Sequence, residues 1–312
     1  MQDSALNIQD QPMSIAVMGA GAVGCYFGAL LARAGNHVTL IGRESHMQAI
    51  AAQGLRLQTA SEDSFIPMHT STHASAVAGA DVVLLCVKST DTEASAEQIK
   101  PHLATGAVVL CLQNGVDNDE RARSVLGERN PAAAVAVYVA TGMEAPGHVR
   151  HFGRGELVIA PNPKVDEIVK TFGAAGIATT VSPDVRAELW QKLIINCSYN
   201  ALSALTQQPY GWLVAQAGVN SVIADIVAEC KSVAAADGLV LGASVDAAVQ
   251  AIAQTMPGQL SSTARDVARG KPSEIDHLNG YVVRRGQALG IATPANRLLQ
   301  VLVNLVQIGK SQ

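Results

Sequence analysis

From Ser14 the chain reads SIAVM and passes at once into Gly19-Ala20-Gly21-Ala22-Val23-Gly24. An apolar run, three glycines spaced G-x-G-x-x-G and an amphipathic stretch over residues 23–34 leave little choice: strand, tight turn and helix, the opening of a βαβ unit. In that geometry Gly19 makes the turn, Gly21 lets the backbone approach a pyrophosphate, and Gly24 permits close packing of helix on strand. The amides from Ala20 through Val23, at the positive end of the helix dipole, complete a candidate phosphate cradle. A glycine turn with no ligand is the competing reading.

The rest of the first half keeps the same grammar. HVTLIG from His37, DVVLLCV from Asp81 and AVVLCLQ from Ala107 are continuous apolar runs, as expected where helices cover both faces of a parallel sheet. Residues 54–58, 65–69, 135–141, 148–152 and 156–160 read as short strands, the last three meeting at glycine turns that suit hairpins, so an antiparallel edge is expected. After Ser182-Pro183 strand signals stop. Helices are expected over 185–205, 212–236, 245–253, 272–289 and 296–306. The fold class is therefore an α/β Rossmann-type doubly wound parallel sheet domain, residues 13–183, followed by an all-α C-terminal domain, residues 184–312, with residues 1–12 a flexible extension.

Composition narrows the function. With 48% hydrophobic and 15% charged residues the chain is on the globular side of disorder, and its 312 residues suffice for two cores. Lys+Arg 22 against Asp+Glu 26 leaves a net charge of −4, which offers no basic excess for nucleic acid or an anionic membrane. No apolar run approaches the roughly 20 residues of a spanning helix. The first twelve residues lack the charged and apolar parts of a secretory signal. Cys25, Cys86, Cys111, Cys197 and Cys230 are odd in number, widely spaced and in apolar contexts, which favours a reducing cytoplasm.

Several residues are candidates for chemistry. Arg43 comes first after the second strand, where an Arg accommodates a 2′-phosphate and an acid binds the free ribose hydroxyl, so NADPH is favoured; Glu44 is the competing signal. Lys88 and Asn114 follow two further strands at the edge where such sheets bind ligands; an ordinary exposed lysine and an Asn-Gly turn are the alternatives. The segment ELWQKLIINCSYNALSAL, from Glu188, is apolar almost all round, yet Lys192, Asn196 and Asn200 recur every four residues and stack an ammonium and two amides on one face. A lysine in dry surroundings is costly, so the stripe should line a wet cleft, where the ammonium can act as an acid. A solvent-facing stripe is the plainer alternative. Downstream, Ser261-Ser262-Thr263-Ala264-Arg265-Asp266 leads to Lys271-Pro272-Ser273-Glu274, where Pro and Glu also suit a helix start. Glu274 and His277 form an E-x-x-H pair without the second copy a carboxylate-bridged metal centre needs, and His148 and His151 have no ligand partners at suitable spacing, so no metal is expected.

Taken in order, GAGAVG, Arg43, LLCVK, LQNGV, LWQKLIINCSYN, SST-x-x-D and SEIDHLNG resemble the ketopantoate reductase family over essentially the whole chain from Ser14. The resemblance implies a Rossmann domain and a helical domain with the active site between them, and hydride transfer from NADPH to the keto carbon of a small 2-oxo acid, ketopantoate, in pantothenate and coenzyme A synthesis. By match of motif Lys192 is the general acid. Glu274 orients the lysine and the substrate hydroxyl, Asn196 and Asn200 bind substrate, and Ser262 binds its carboxylate. Asn114 is placed at the nicotinamide end, and Arg43 and Lys88 on the 2′-phosphate side. The sequence departs from the family pattern in Ala201-Leu202-Ser203-Ala204, where Pro-Leu-Thr-Ala is common, and at Tyr210, where some members carry another substrate-binding Asn. Another 2-oxo acid, or a non-catalytic NADP(H) sensor, are therefore the rival functions. A long helical domain is also expected to leave apolar faces that suit a homodimer.

Overall fold

The computed structural model describes residues 11–310; the extension expected at 1–12 lies almost wholly outside the described residues. The chain divides into two compact units. The first runs to Val87 and includes Asp91–Leu112 and Asp119–Pro183; the second takes Lys88–Thr90, Gln113–Asn118 and the chain from Asp184.

The first unit begins β1 (Ser14–Met18), α1 (Ala22–Arg33), β2 (His37–Ile41), α2 (Glu44–Gln53), β3 (Leu55–Gln58), β4 (Asp63–Ile66), β5 (His69–Ser71) and β6 (Val82–Leu85). It continues α3 (Thr92–Ile99), β7 (Val108–Cys111), α4 (Asn118–Leu126), β8 (Ala132–Ala145), β9 (His148–Ile159), α5 (Val165–Ala174) and β10 (Thr179–Val181). The ten strands form one sheet in the order β4-β3-β9-β8-β7-β6-β1-β2-β5, with β10 on β9. The run β8-β7-β6-β1-β2-β5 is parallel throughout. Because the chain leaves β1 first toward β2 and later toward β6, the winding reverses between β1 and β6, and ligands of such sheets bind at the carboxyl ends beside that reversal. The continuous apolar runs are explained by two separate cores. Ile15, Val17, Leu84 and Leu110 pack on one face with Phe27 and Leu31 of α1 and Phe172 of α5. Ala16, Met18, Val83, Leu85 and Val109 pack on the other with Ala96 and Ile99 of α3 and Ala122 of α4.

Two strand expectations are corrected. Residues 65–69 are not one strand: β4 stops at Ile66 and pairs antiparallel with β3, while β5 starts at His69 and pairs parallel with β2 at the opposite edge. Pro67 between them has no N–H to continue a ladder. Nor do 148–152 and 156–160 fold back on each other; they form the single strand β9, whose hairpin with β8 turns at Gly147. Gly153, Arg154 and Gly155 all have positive φ, and the register with β8 shifts there, so the glycines make an irregularity within a strand. Arg154 holds this conformation with its guanidinium 4.5 Å above the Tyr138 ring.

The second unit contains α6 (Val185–Thr206), α7 (Tyr210–Val214), α8 (Val219–Ala236), α9 (Ser244–Thr255), α10 (Ser262–Ala268), α11 (Asn279–Leu289) and α12 (Pro294–Lys310). α6 is its axis, burying Trp190, Leu193, Ile194, Cys197 and Tyr199. A buried polar node crosses four helices: Asn279 donates to the Cys197 carbonyl and to Asn296 Oδ1, and Asn296 donates to Glu229 Oε2 at 2.7 Å. The helix expected over 212–236 is broken in two, because Gly218 adopts φ +82, a left-handed conformation that costs other residues about 1–2 kcal/mol. The helix expected over 272–289 begins only at Asn279. Before it a single 3-10 turn, Ile275–His277, is held by Arg284 Nη1, which donates to the Asp276 carbonyl, and by Gln300 and Asn304, which donate to Asp276 Oδ1. α10 was not expected from the sequence; Ser261 caps it by accepting from the Ala264 N–H at 2.9 Å.

Candidate active site

The glycine turn leaves β1 with the Gly19 and Ala20 N–H groups both bonded to the Ile41 carbonyl. The three glycines differ in what a side chain would meet. At Gly19, φ +103, a Cβ would lie 2.5 Å from Val87 N and 2.7 Å from the Cys86 carbonyl carbon, against the chain leaving β6. At Gly24 it would lie 2.5 Å from the Gly19 oxygen and 2.8 Å from Val17 Cγ1. At Gly21 it would meet no protein atom within 4 Å. The fold therefore requires glycine at the first and third positions and leaves open space at the second. Gly21 is also the N-cap of α1 without a side-chain cap, so the first-turn N–H groups of Ala22, Val23 and Gly24 have no side-chain acceptor from the cap.

Arg43 is the N-cap of α2 and is exposed; Glu44, the first helical residue, accepts from Gln48 Nε2 at 3.0 Å within its own helix. Lys88, the other residue expected on the 2′-phosphate side, belongs to the second unit. β6 ends at Leu85, and beyond it Lys88 Nζ pairs with Asp266 Oδ2 at 2.8 Å and donates to the Pro272 carbonyl.

The same unit gathers Glu274 and Asn114. The Ser89 N–H donates to Glu274 Oε1 at 2.9 Å and the Asn114 amide donates to Oε2 at 3.2 Å. The Asn114 carbonyl accepts from Ser89 Oγ at 2.6 Å and from Asn118 Nδ2 at 2.7 Å, so the loop after β7 and the turn after β6 hold one carboxylate between them. Ser89, Asp266 and Asn118 were missed by sequence reasoning. Asp266 and Ser89 had weak signals, as the acid of SST-x-x-D and the neighbour of Lys88; Asn118 had none.

On α6 the stripe is real but not uniform. Lys192 and Asn196 are half-buried, whereas Asn200 is 2% exposed. Tyr210, 8% exposed, donates its hydroxyl to Asn200 Oδ1 at 3.4 Å, and burial pushes its phenol up to about 12. The Asn200 carbonyl accepts from Ser261 Oγ at 3.2 Å. Ser262 is exposed at the first position of α10.

A doubly wound sheet with an uncapped glycine turn, followed by a helical unit that carries Lys192, Asn196 and Asn200 on one helix and holds Glu274 against Asn114, is the architecture of a two-domain oxidoreductase acting on a CH–OH group, as its relatives show. Residues 15–164 match the family Ketopantoate reductase PanE/ApbA, and residues 184–307 match Ketopantoate reductase PanE/ApbA C terminal. The 2-dehydropantoate 2-reductase of Halobacterium salinarum is 35% identical over 305 residues, covering 95% of this chain and 99% of that protein. The crystal structure of a PanE/ApbA family ketopantoate reductase from Ralstonia eutropha superposes with a TM-score of 0.93 at 56% identity, covering 96% of this chain and 100% of that one. D-mandelate dehydrogenase, solved with NADH and anilino(oxo)acetate, superposes with a TM-score of 0.89 at 25% identity, covering 96% and 100%. The chain belongs to the ketopantoate reductase family. Among the described residues no helix is long and apolar enough to cross a membrane.

Proposed function

We propose that this protein reduces ketopantoate to pantoate with NADPH, supplying pantothenate and coenzyme A synthesis in a reducing cytoplasm. The observation that carries the reading is the half-buried Lys192 on α6, an ammonium in line with two amides on a helix whose other faces are packed. The family membership and the reductase names of its relatives support it.

The residues fit the cofactor. Open space at Gly21 and the uncapped start of α1 suit a pyrophosphate, and the exposed Arg43 suits a 2′-phosphate. Lys88 is engaged by Asp266 and the Pro272 carbonyl, so the 2′-phosphate falls to Arg43. When bound, the reduced nicotinamide supplies a hydride to the keto carbon. Lys192 holds a proton at Nζ and delivers it to the carbonyl oxygen as negative charge builds there, which contributes both acid catalysis and electrostatic stabilisation. Glu274, fixed by Ser89 and Asn114, orients Lys192 and the substrate hydroxyl. Asn196 and Asn200 bind substrate, Ser262 meets its carboxylate, and Asn114 borders the nicotinamide end.

One observation favours a second substrate. Tyr210 already occupies the amide oxygen of Asn200 in a buried site, which reduces what Asn200 offers a substrate hydroxyl and suits a 2-oxo acid without one. D-mandelate dehydrogenase shows that this fold accommodates an aromatic 2-oxo acid analogue. The deciding experiment follows oxidation of NADPH and NADH with purified protein and a panel of ketopantoate, branched 2-oxo acids and phenylglyoxylate. Turnover confined to ketopantoate and NADPH is expected. Turnover of phenylglyoxylate or a branched acid in its place transfers the function to that substrate, and tight NADPH binding without turnover of any acid overturns the reductase reading.

A further inference from the structure

His46 stands in the first turn of α2, three residues after Arg43, and no sequence motif marks it. Its Nδ1 accepts the Gly147 N–H at 2.8 Å, across 101 positions of chain. Its Nε2 lies 3.3 Å from Cys25 Sγ, and Cys25 in turn donates to the Ala20 carbonyl at 3.4 Å. These bonds admit one consistent arrangement of protons. A backbone N–H donates to Nδ1, so Nδ1 carries a lone pair and the neutral ring bears its proton on Nε2. That proton points to the Cys25 sulfur, and the thiol proton points to the carbonyl. Burial pushes the Cys25 thiol up to about 12 and the His46 imidazolium down, the latter outweighing an opposing pull from the Ala20 carbonyl, which keeps both groups in the forms the chain of bonds requires.

The chain of bonds joins the glycine turn at Ala20, the first turn of α1, the helix that Arg43 caps, and the hairpin turn at Gly147. Packing also draws the start of α2 close to the glycine turn: a Cβ at Gly42 would lie 2.9 Å from Ala20 Cβ and 3.1 Å from Met47 Cε. Apolar contact is non-directional and leaves a helix free to roll, whereas directed bonds fix its rotation. The roll of α2 decides where the Arg43 side chain falls relative to the turn, because the Arg43 carbonyl already accepts the His46 and Met47 N–H groups, each at 3.0 Å.

We propose that His46 is a positioning residue of the dinucleotide cradle, tying the helix that carries Arg43 to the glycine turn through Cys25 and to the hairpin through Gly147. The proposal rests on the reading of the glycine turn as the cofactor site. It is tested by titrating NADPH into the wild-type protein, His46→Ala, His46→Asn and Gly21→Ala, with kcat measured at saturating cofactor and thermal unfolding as a check on folding. Asn attaches an acceptor oxygen where the imidazole carries Nδ1, so it restores the bond from Gly147. His46→Ala is expected to weaken NADPH about tenfold, equivalent to about 1.4 kcal/mol, with kcat changed by less than about twofold. His46→Asn is expected to recover affinity to within about threefold of wild type. Wild-type affinity in His46→Ala, equal weakness in Ala and Asn, or a fall in kcat matching the fall in affinity would each overturn the proposal. Should Gly21→Ala bind as wild type does, the cofactor site itself is misplaced and the proposal falls with it. Loss of affinity in Gly21→Ala without loss in His46→Ala refutes the role of His46 alone.

Discussion

Gly21→Ala separates what the fold needs from what the ligand needs. Gly21 has φ −81 and ψ −169, backbone that alanine adopts freely, and its added methyl would find no protein atom within 4 Å. Removing a glycine's freedom in the unfolded chain stabilises by about 0.4–1 kcal/mol, and losing a tolerated N-cap costs about as much, so stability should stay within about 1 kcal/mol of wild type. The same methyl projects into the space assigned to the pyrophosphate. An overpacked contact costs about 1–3 kcal/mol, so NADPH should bind about 5- to 150-fold more weakly. Gly24→Ala is the control with opposite character: its methyl would meet the Gly19 oxygen at 2.5 Å, and Tm should fall by several degrees before any cofactor is added. Calorimetric titration with NADPH beside a thermal melt of each apo variant reads both quantities. Unchanged affinity in Gly21→Ala, or a melt as depressed as that of Gly24→Ala, would refute the assignment of that open space to the cofactor.

The remaining predictions concern catalysis, cofactor choice, substrate choice and stability. Lys192→Ala should lower kcat by about 10²-fold or more while leaving NADPH affinity near wild type; turnover close to normal in a steady-state assay removes Lys192 from the mechanism. Arg43→Ala should raise the KM for NADPH and hardly change that for NADH, and an equal effect on both would show that Arg43 does not read the 2′-phosphate. Tyr210→Asn should raise kcat/KM for ketopantoate if the Tyr210–Asn200 bond limits hydroxyl recognition, whereas an unchanged ratio returns Tyr210 to packing. In the helical unit Asp237, with a side chain 2% exposed, is clamped by Arg186 and Arg285; burial raises its carboxyl but the two guanidiniums outweigh that and hold it below the usual range. A depressed carboxyl contributes stability above its unfolded pKa of about 3.9 that is lost as pH falls through the folded value. Asp237→Asn should therefore unfold more readily at neutral pH, by about 1–3 kcal/mol since both arginines stay partly hydrated, and show less acid destabilisation than wild type in melts taken down the pH scale.

Much of the fold was legible because its signals are local. The glycine turn, the continuous apolar runs and the end of strand signals at Pro183 each follow from residues within a few positions of one another. Turns and bulges were less so, since glycine serves both: nothing within Gly153-Arg154-Gly155 says whether the chain reverses or continues, and the pairing with β8 decides. The break before α11 was hidden for a similar reason, because its support comes from Gln300 and Asn304, far down the chain.

The site divides along the same line. Residue chemistry and helical period identified Lys192, Asn196 and Asn200 as one stripe and Gly19, Gly21 and Gly24 as one turn, because every element of those patterns lies within a few turns of backbone. Tertiary structure alone could give Glu274 its donors from Ser89 and Asn114, turn Lys88 to Asp266, bring Tyr210 onto Asn200 and join His46 to Gly147. Those contacts link residues that no periodicity relates, and a hydrogen bond satisfied within a few tenths of an ångström is set by how whole elements pack. The sequence determined which groups this enzyme has to work with, and the packing of its helices and strands decided which of them meet.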